Sequence, residues 1–300
     1  MSLPDVQALR SDHDYKLTRV GVTGVEKPVQ IDRPGASQTH ALHACFDLFV
    51  DLPAGQRGIH MSRNLEAIGE VLDETVREPR KGLEWVVEDT ARELLERHDY
   101  ASVAEVEAES TFFVEQRTPS GAETMEPYEL VAKATADREG DLRRSIGVVV
   151  TGMTACPCAM ETTQHILEDE QDATIENAPS VTHNQRNETL FMIDVREGND
   201  VDAEDMVTLV EASMSAPTFE LLKRGDEARL VLQAHESPRF VEDVVREVLA
   251  RAKKAYDHLP DDTVITVKSE AQESIHKHNA FAERVTTLGD LRDGDLQTDN

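Results

Sequence analysis

Cys156 and Cys158 flank Pro157 in the run TGMTACPCAM, and they are two of only three cysteines in 300 residues. Three thiols cannot build a disulfide framework, and a bridge between residues two apart is badly strained, so oxidised secretion is not expected. The close pair points to metal or to catalysis. Pro157 restricts the backbone of the residue before it, and a turn here can aim both sulfurs near one point. Structural zinc sites prefer two to four residues between cysteines and a second such pair elsewhere. No second pair exists. A four-cysteine site is therefore excluded, and any metal must recruit His or carboxylate, which more naturally leaves a coordination position open for water.

Groups of that kind gather in three other places. SVTHNQRNE sets His183 beside Asn184, Gln185 and Arg186; FELLKRGDEARL carries Lys223, Arg224, Asp226 and Glu227; SEAQESIHKHNAF carries Glu273, His276 and His278. Each has a plainer reading when taken singly. A lone His is more often a surface or capping group, Lys223 to Glu227 is a solvated helix end, and Glu242 in PRFVEDVVRE is a favourable charge in a first helical turn. Cys45, in an apolar strand, reads as core.

The elements that must position these groups follow from hydrophobic spacing. THALHACFDLFVDL (39–52) reads as a strand, while 64–76 and 82–98 place apolar residues three and four apart and read as amphipathic helices. Strands are expected over 102–116 and 126–137. The second half repeats the order: strands over 143–153 and 188–197, helices over 203–215 and 237–259, then strand-like DTVITVKSEAQESIH and AFAERV. Two rounds of strands, a helix pair and strands imply an α+β duplication with helices on one face of antiparallel sheet. We divide the chain into a loosely held segment 1–36, units over 37–142 and 143–285, and a loose acidic tail 286–300.

The balance of 59 acidic against 31 basic residues gives a formal charge of −28, spread along the chain, with 22 Arg, 9 Lys and 4% aromatic content. Nucleic acid and anionic membranes are poor partners for such a surface. No apolar run follows a basic start, and nowhere do eighteen apolar residues follow one another, so a cytoplasmic, soluble protein is expected. The charge points to adaptation to high salt, the alternative being a merely acidic mesophilic enzyme.

Taken in order, CPC, HNQR, LLKRxDE, FVED and ESIHxH, with GVTGVEKPV and GIHMSRN in the N-terminal half, resemble the type IB and archaeal GTP cyclohydrolases over roughly residues 18–285, and most closely the archaeal Fe(II)-dependent branch. The resemblance implies a tunnelling fold, in which antiparallel strands and two helices per unit assemble with further copies into a homo-oligomeric barrel. It also implies one divalent metal per subunit, held by Cys156, His183 and Glu227. Glu242 resembles the residue that holds the guanine edge, His276 the catalytic acid/base, and Glu273 its helper. The 26 residues between Cys156 and His183 exceed the spacing of the bacterial relatives, favour the archaeal branch, and include His165 as a competing ligand.

This ligand set suits opening of the guanine imidazole ring, because a divalent metal lowers the pKa of a bound water that can attack C8. One thiolate, one imidazole and one carboxylate balance the metal's charge; the resemblance favours Fe(II), and zinc and manganese accept the same set. Glu242 would accept from guanine N1 and the 2-amino group, and His276 would exchange a proton with the departing ring nitrogen. Arg63, Arg186, Lys223 and Arg224 lie inside the motifs and are expected at the phosphates, with surface ion pairing as the plainer alternative. The implied reaction takes GTP to formate and 7,8-dihydroneopterin 2′,3′-cyclic phosphate; the alternatives are the triphosphate product, a tunnelling-fold nitrile reductase, and a module that binds purine or metal without turnover. Cys158 has no assigned role.

The charge itself makes a prediction. Repulsion among the 59 acids opposes compaction in dilute buffer and is screened within about 3 Å at 1 M salt. The thermal unfolding midpoint should rise from dilute buffer to molar potassium chloride, and an unchanged midpoint counts against halophilic adaptation.

Overall fold

The computed structural model describes residues 5–32, 40–169, 181–196 and 199–294. Residues 170–180, inside the long segment before His183, and 295–300, the end of the expected tail, lie outside them. In chain order the elements are β1 (Leu17–Ile31), β2 (His40–Leu52), α1 (Met61–Arg77), α2 (Leu83–Arg97), β3 (Val103–Arg117), β4 (Glu123–Asp137), β5 (Leu142–Ala155), α3 (Pro157–Asp169) and β6 (Asn184–Val195). They continue with α4 (Ala203–Glu211), the two-residue β7 (Ala216–Pro217), α5 (Arg224–Glu236), α6 (Val241–Ala255), β8 (Val264–Ala271), β9 (Ala280–Thr287) and α7 (Leu288–Asp293). No helix among the described residues is long and apolar enough to cross a membrane.

The chain forms two compact units. One takes the described residues up to Phe112, with Glu129–Ile146 and 194–199; the other takes Phe113–Tyr128, Gly147–Ile193 and the residues from Asp200 onward. Strands β3 to β6 are long enough to give one end to each unit, so the units interleave along the chain and do not meet at one cut near residue 142.

In the first unit the strands run in the order β1-β2-β3-β4-β5. The β2–β3 pair is antiparallel, with Phe46 opposite Ala108 and Leu48 opposite Val106. Alternation puts Ala44, Phe46, Leu48 and Val50 inside with Ala104, Val106 and Ala108, as a half-buried sheet requires. Helices α1 and α2 pack on each other and close this face with Ala67, Ile68 and Val71, and with Val86, Val87 and Leu94. Burial of each such Val or Leu contributes about 2 kcal/mol. The chain's one tryptophan, Trp85, lies here under the guanidinium of Arg144, 3.4 Å from the ring centroid. Arg144 is buried and pairs with Glu88.

The first 36 residues, expected to be loosely held, contain the fifteen-residue strand β1. Its outward side is polar and mostly exposed, which hides the alternation that marks a strand. Two glycines of GVTGVEKPV fit it to β2: a Cβ on Gly21 would lie 1.8 Å from the Leu48 carbonyl oxygen, and Gly24 has φ +70° at a register shift.

In the second unit the order is β3-β4-β5-β6-β8-β9, with β7 on β5. Phe191 on β6 faces Val267 on β8, and α6 covers β8 and β9 with Val244, Val245, Val248 and Ala252. Residues 286–293, also expected to be loose, finish β9 and form α7. Thr287 caps α7 by accepting the Asp290 amide at 3.1 Å, and Arg292 donates to the carbonyls of Asp257 and Leu259 at 2.8 Å. Helix α5 shows little periodicity because only Asp226, Leu230 and Ala234 of its thirteen residues are buried.

GIHMSRN has a structural task in the first unit. Asn64 is buried, donates to the Leu48 carbonyl at 3.2 Å and accepts from His98 Nε2 at 2.9 Å; Tyr100 Oη lies 2.6 Å from His98 Nδ1. Asn64 Oδ1 can only accept, so Nε2 carries the proton and Nδ1 accepts from Tyr100. Burial, followed by the nearby Arg63 charge, lowers the His98 pKa from 6.5 to about 4. Between these values the unfolded chain binds a proton that the folded chain does not, so stability falls as pH drops from about 6.5 to 4, by about 3 kcal/mol in total. His98→Gln should flatten this part of the stability–pH curve in denaturant titrations; parallel curves for the two proteins would remove His98 as the cause.

Candidate functional site

Pro157 is the first residue of α3, where its missing N–H is harmless and its fixed φ suits a helix. That places Cys156 at the helix entrance and Cys158 in the first turn. The Ala159 amide donates to Cys156 Sγ at 3.4 Å, a contact that suits an electron-rich sulfur. Cys158 is exposed on the helix surface. The Cys156 amide donates to the His183 carbonyl at 3.1 Å, and Thr182 Oγ1 donates to the Cys156 carbonyl at 2.6 Å. Two residues far apart in the chain thus become neighbours where β5 ends and β6 begins.

His183 is held in one tautomer. Gln185 Nε2 donates to the buried Thr154 hydroxyl at 3.1 Å, which turns Gln185 Oε1 toward His183 Nδ1 at 3.0 Å. Nδ1 must then carry the proton, and Nε2 keeps its lone pair. Glu273 stands behind the same nitrogen, with Oε2 3.7 Å from Nδ1, buried and without a hydrogen-bond partner. A carboxylate and an amide behind one imidazole nitrogen, with the other nitrogen available, is the arrangement of a metal-binding histidine. Glu273 was expected beside His276; it faces His183.

The other expected residues are more open. Glu227 and Glu242 are both exposed, in the first turns of α5 and α6. In each motif the neighbouring Asp closes the helix start: Asp226 Oδ2 accepts the Lys223 amide at 3.3 Å, and Asp243 Oδ2 accepts the Phe240 amide at 3.0 Å. The DE of KRGDE and the ED of FVED therefore each contain one capping acid and one solvent-facing acid. Lys223, Arg224 and Arg186 are exposed. Arg63 belongs to the other unit, where it donates to the Arg97 carbonyl at 2.8 Å, at the end of α2. His276 and His278 are exposed and stack with centroids 5.1 Å apart.

Cys156 and His183 thus fit a cation, and Glu227 does not stand with them as a preformed triad. Among the described residues no three His, Cys, Asp or Glu side chains form a group that could hold a metal ion. A pocket of about 560 Å³ opens along α6, lined by Ser237, Arg239, Asp243 and Arg246 among others. None of the expected site residues lines it, and its cations are matched, Arg246 to Asp243 at 3.0 Å and Arg239 to Glu247 at 3.7 Å. Burial, aided by the neighbouring Glu126 charge, raises the pKa of Glu211, while the bond from Tyr128 opposes the rise.

Sequence reasoning passed over Gln185, although it stands within HNQR, and the capping role of Asp226. An acid at the third helical position was the available signal for the latter.

Among solved structures the chain is similar to a uricase from Bacillus fastidious, with TM-score 0.51 and 8% identity over 95% of this chain and 98% of that one. It is equally similar to a hyper-thermostable AgUricase mutant, at TM-score 0.51 over 90% and 92%. These likenesses carry the fold alone, and it is the expected tunnelling fold. GTP cyclohydrolase MptA of Methanothermobacter thermautotrophicus is 45% identical over 302 residues, 96% of this chain and 95% of that protein. The protein of the same name from Methanoregula boonei is 43% identical over 99% and 96%. The model for type I GTP cyclohydrolase folE2 matches residues 3–282. A match of that extent takes in every motif from GVTGVEKPV to ESIHxH, and with it the Cys156–His183 pair: the chain belongs to the type I GTP cyclohydrolase folE2 family.

Proposed function

We propose that this protein is a metal-dependent GTP cyclohydrolase of pterin biosynthesis, which opens the imidazole ring of GTP, releases formate and diphosphate, and forms 7,8-dihydroneopterin 2′,3′-cyclic phosphate. The reading is carried by near-complete alignment with relatives named GTP cyclohydrolase MptA. It is supported by the fixed tautomer of His183 beside Cys156. Cys156, His183 and Glu227 would hold the metal, Fe(II) by the archaeal resemblance. When bound, such a cation supplies Lewis acidity and makes water a better nucleophile at neutral pH.

The chain's own residues do the rest. Gln185 and Glu273 keep the His183 proton on Nδ1, and Glu273 stabilises positive charge on the ring. Glu242, exposed at the start of α6, offers two acceptor oxygens to the guanine N1–H and 2-amino donors. Adenine lacks that donor pair, so its binding would leave the carboxylate without partners. His276 donates a proton to the departing ring nitrogen and later recovers one. Arg186, Lys223 and Arg224 are open to the phosphates, whereas Arg63 is engaged on the end of α2 and is left out of that role. Outermost strands β1 and β9, the latter with exposed Phe281 and Val285, favour assembly with further copies.

Two sets of variants test this reading. Cys156→Ala should lose both bound metal and formate release, and Cys158→Ala should keep most of both; full turnover after chelation would overturn metal dependence, and equal metal loss in the two variants would reverse their roles. Glu242→Gln should weaken GTP binding while metal content persists. His276→Ala should keep GTP binding and slow turnover by roughly 10²- to 10⁴-fold. Loss of metal from His276→Ala, with metal kept in Glu227→Ala, would put His276 among the ligands. Mass analysis of the product after anaerobic incubation with GTP and Fe(II) distinguishes cyclic phosphate from triphosphate.

A further inference from the structure

The β3–β4 hairpin carries two groups outside this scheme, Ser120 in its turn and Glu126 on β4, which reach the start of α5 and the segment leading into it. Glu126 is only 4% exposed; its Oε2 accepts the Glu220 amide at 3.0 Å and its Oε1 accepts the Thr124 hydroxyl at 2.9 Å. The Ser120 hydroxyl donates to Asp226 Oδ2 at 3.0 Å, the oxygen that also caps α5. Arg229 Nη1 returns a bond to the Pro119 carbonyl at 3.1 Å. Three contacts from one hairpin, two from its turn and one from β4, therefore fall within residues 220–229.

The turn is itself braced. The Thr118 amide donates to the Ala122 carbonyl at 2.9 Å, and Gly121 takes φ +84°, a conformation that favours glycine. Below it, Tyr128 Oη and Gln116 Nε2 donate to the two oxygens of Glu211, at 2.5 and 3.3 Å, on the last residue of α4. Helix α5 has little apolar anchorage of its own, since Leu230 and Ala234 are its only buried apolar residues. Phe219 and Leu222, ahead of the helix, pack against Ala155 and Ala216, and the polar contacts that orient its first turn come from the β3–β4 hairpin.

We infer that Glu126 and Ser120 are positioning residues for the reaction: they fix the segment from Glu220 to Glu227, and so set where Lys223, Arg224 and Glu227 are presented. The inference rests on the proposed roles of those three side chains. Removing Glu126 frees the Glu220 amide and leaves the approach to α5 without its buried acceptor, while Gln at the same position keeps an acceptor for Glu220 and a donor for Thr124.

The test uses the full chain with Glu126→Ala, Glu126→Gln and Ser120→Ala. Amide hydrogen exchange is followed over residues 218–229, and Co(II) is titrated through its thiolate absorption band. Glu126→Ala should exchange roughly tenfold faster in that segment, bind Co(II) roughly tenfold more weakly and lose kcat. Glu126→Gln should restore all three, and Ser120→Ala should move them in the same direction by less. Unchanged exchange and Co(II) affinity in the Ala variants would overturn the inference, as would a Gln variant as impaired as Ala. Should Glu126→Ala fail to fold, Ser120→Ala, at an exposed position, carries the same test. Glu227→Ala separates the two readings: if it leaves Co(II) affinity intact, the ligand role of Glu227 fails, and segment exchange alone decides whether the turn holds α5.

Discussion

One backbone hydrogen bond, from the Cys156 amide to the His183 carbonyl, brings together what the candidate site needs. It closes the junction between β5 and β6 after an excursion of 26 residues. Because it joins main-chain atoms, it constrains both residues whatever their side chains do. Helix α3 begins immediately after it, and the Gln185–Thr154 contact lies two residues further along each strand. Sheet register thus becomes side-chain chemistry: one rung later or earlier, His183 and Gln185 would turn together to the opposite side of the sheet, and Gln185 would lose its brace from Thr154 on β5.

A second economy lies in the acidic pairs. KRGDE and FVED look alike in composition, and the helix start assigns opposite orders to the two acids. The side chain at the third helical position turns back to the N-cap amide, and the adjacent one points to solvent, where the helix N-terminus favours its negative charge. A chain with 59 acidic residues therefore separates capping from solvent-facing carboxylates by position within a turn of helix.

Much of the fold was legible wherever apolar spacing was strong. Strand β2, helices α1, α2 and α6, and strands β3, β6 and β8 bury regular faces, and their periodicity shows it. The misses share a cause. Strand β1 is largely exposed, α5 buries two apolar residues, and α7 is held by Thr287 and Arg292, so hydrogen bonds and neighbouring elements do what a hydrophobic stripe does elsewhere. Site residues were legible as motif members, but their partners were not. That Glu273 faces His183, that Arg63 is tied to the end of α2, and that the β3–β4 turn reaches α5 all depend on contacts between segments far apart in sequence.

The contact of Arg144 with Trp85 gives the protein a built-in optical reporter of limited reach. Trp85 is the single tryptophan, and it lies in the unit that does not contain Cys156, His183 or Glu227. A guanidinium 3.4 Å above the indole makes its emission sensitive to the Arg144–Glu88 pair beneath α2. Tryptophan emission, excited selectively over the four tyrosines, therefore reports on the surroundings of Trp85 in one unit, and local loosening around the cysteine–histidine pair must be followed by a probe placed there.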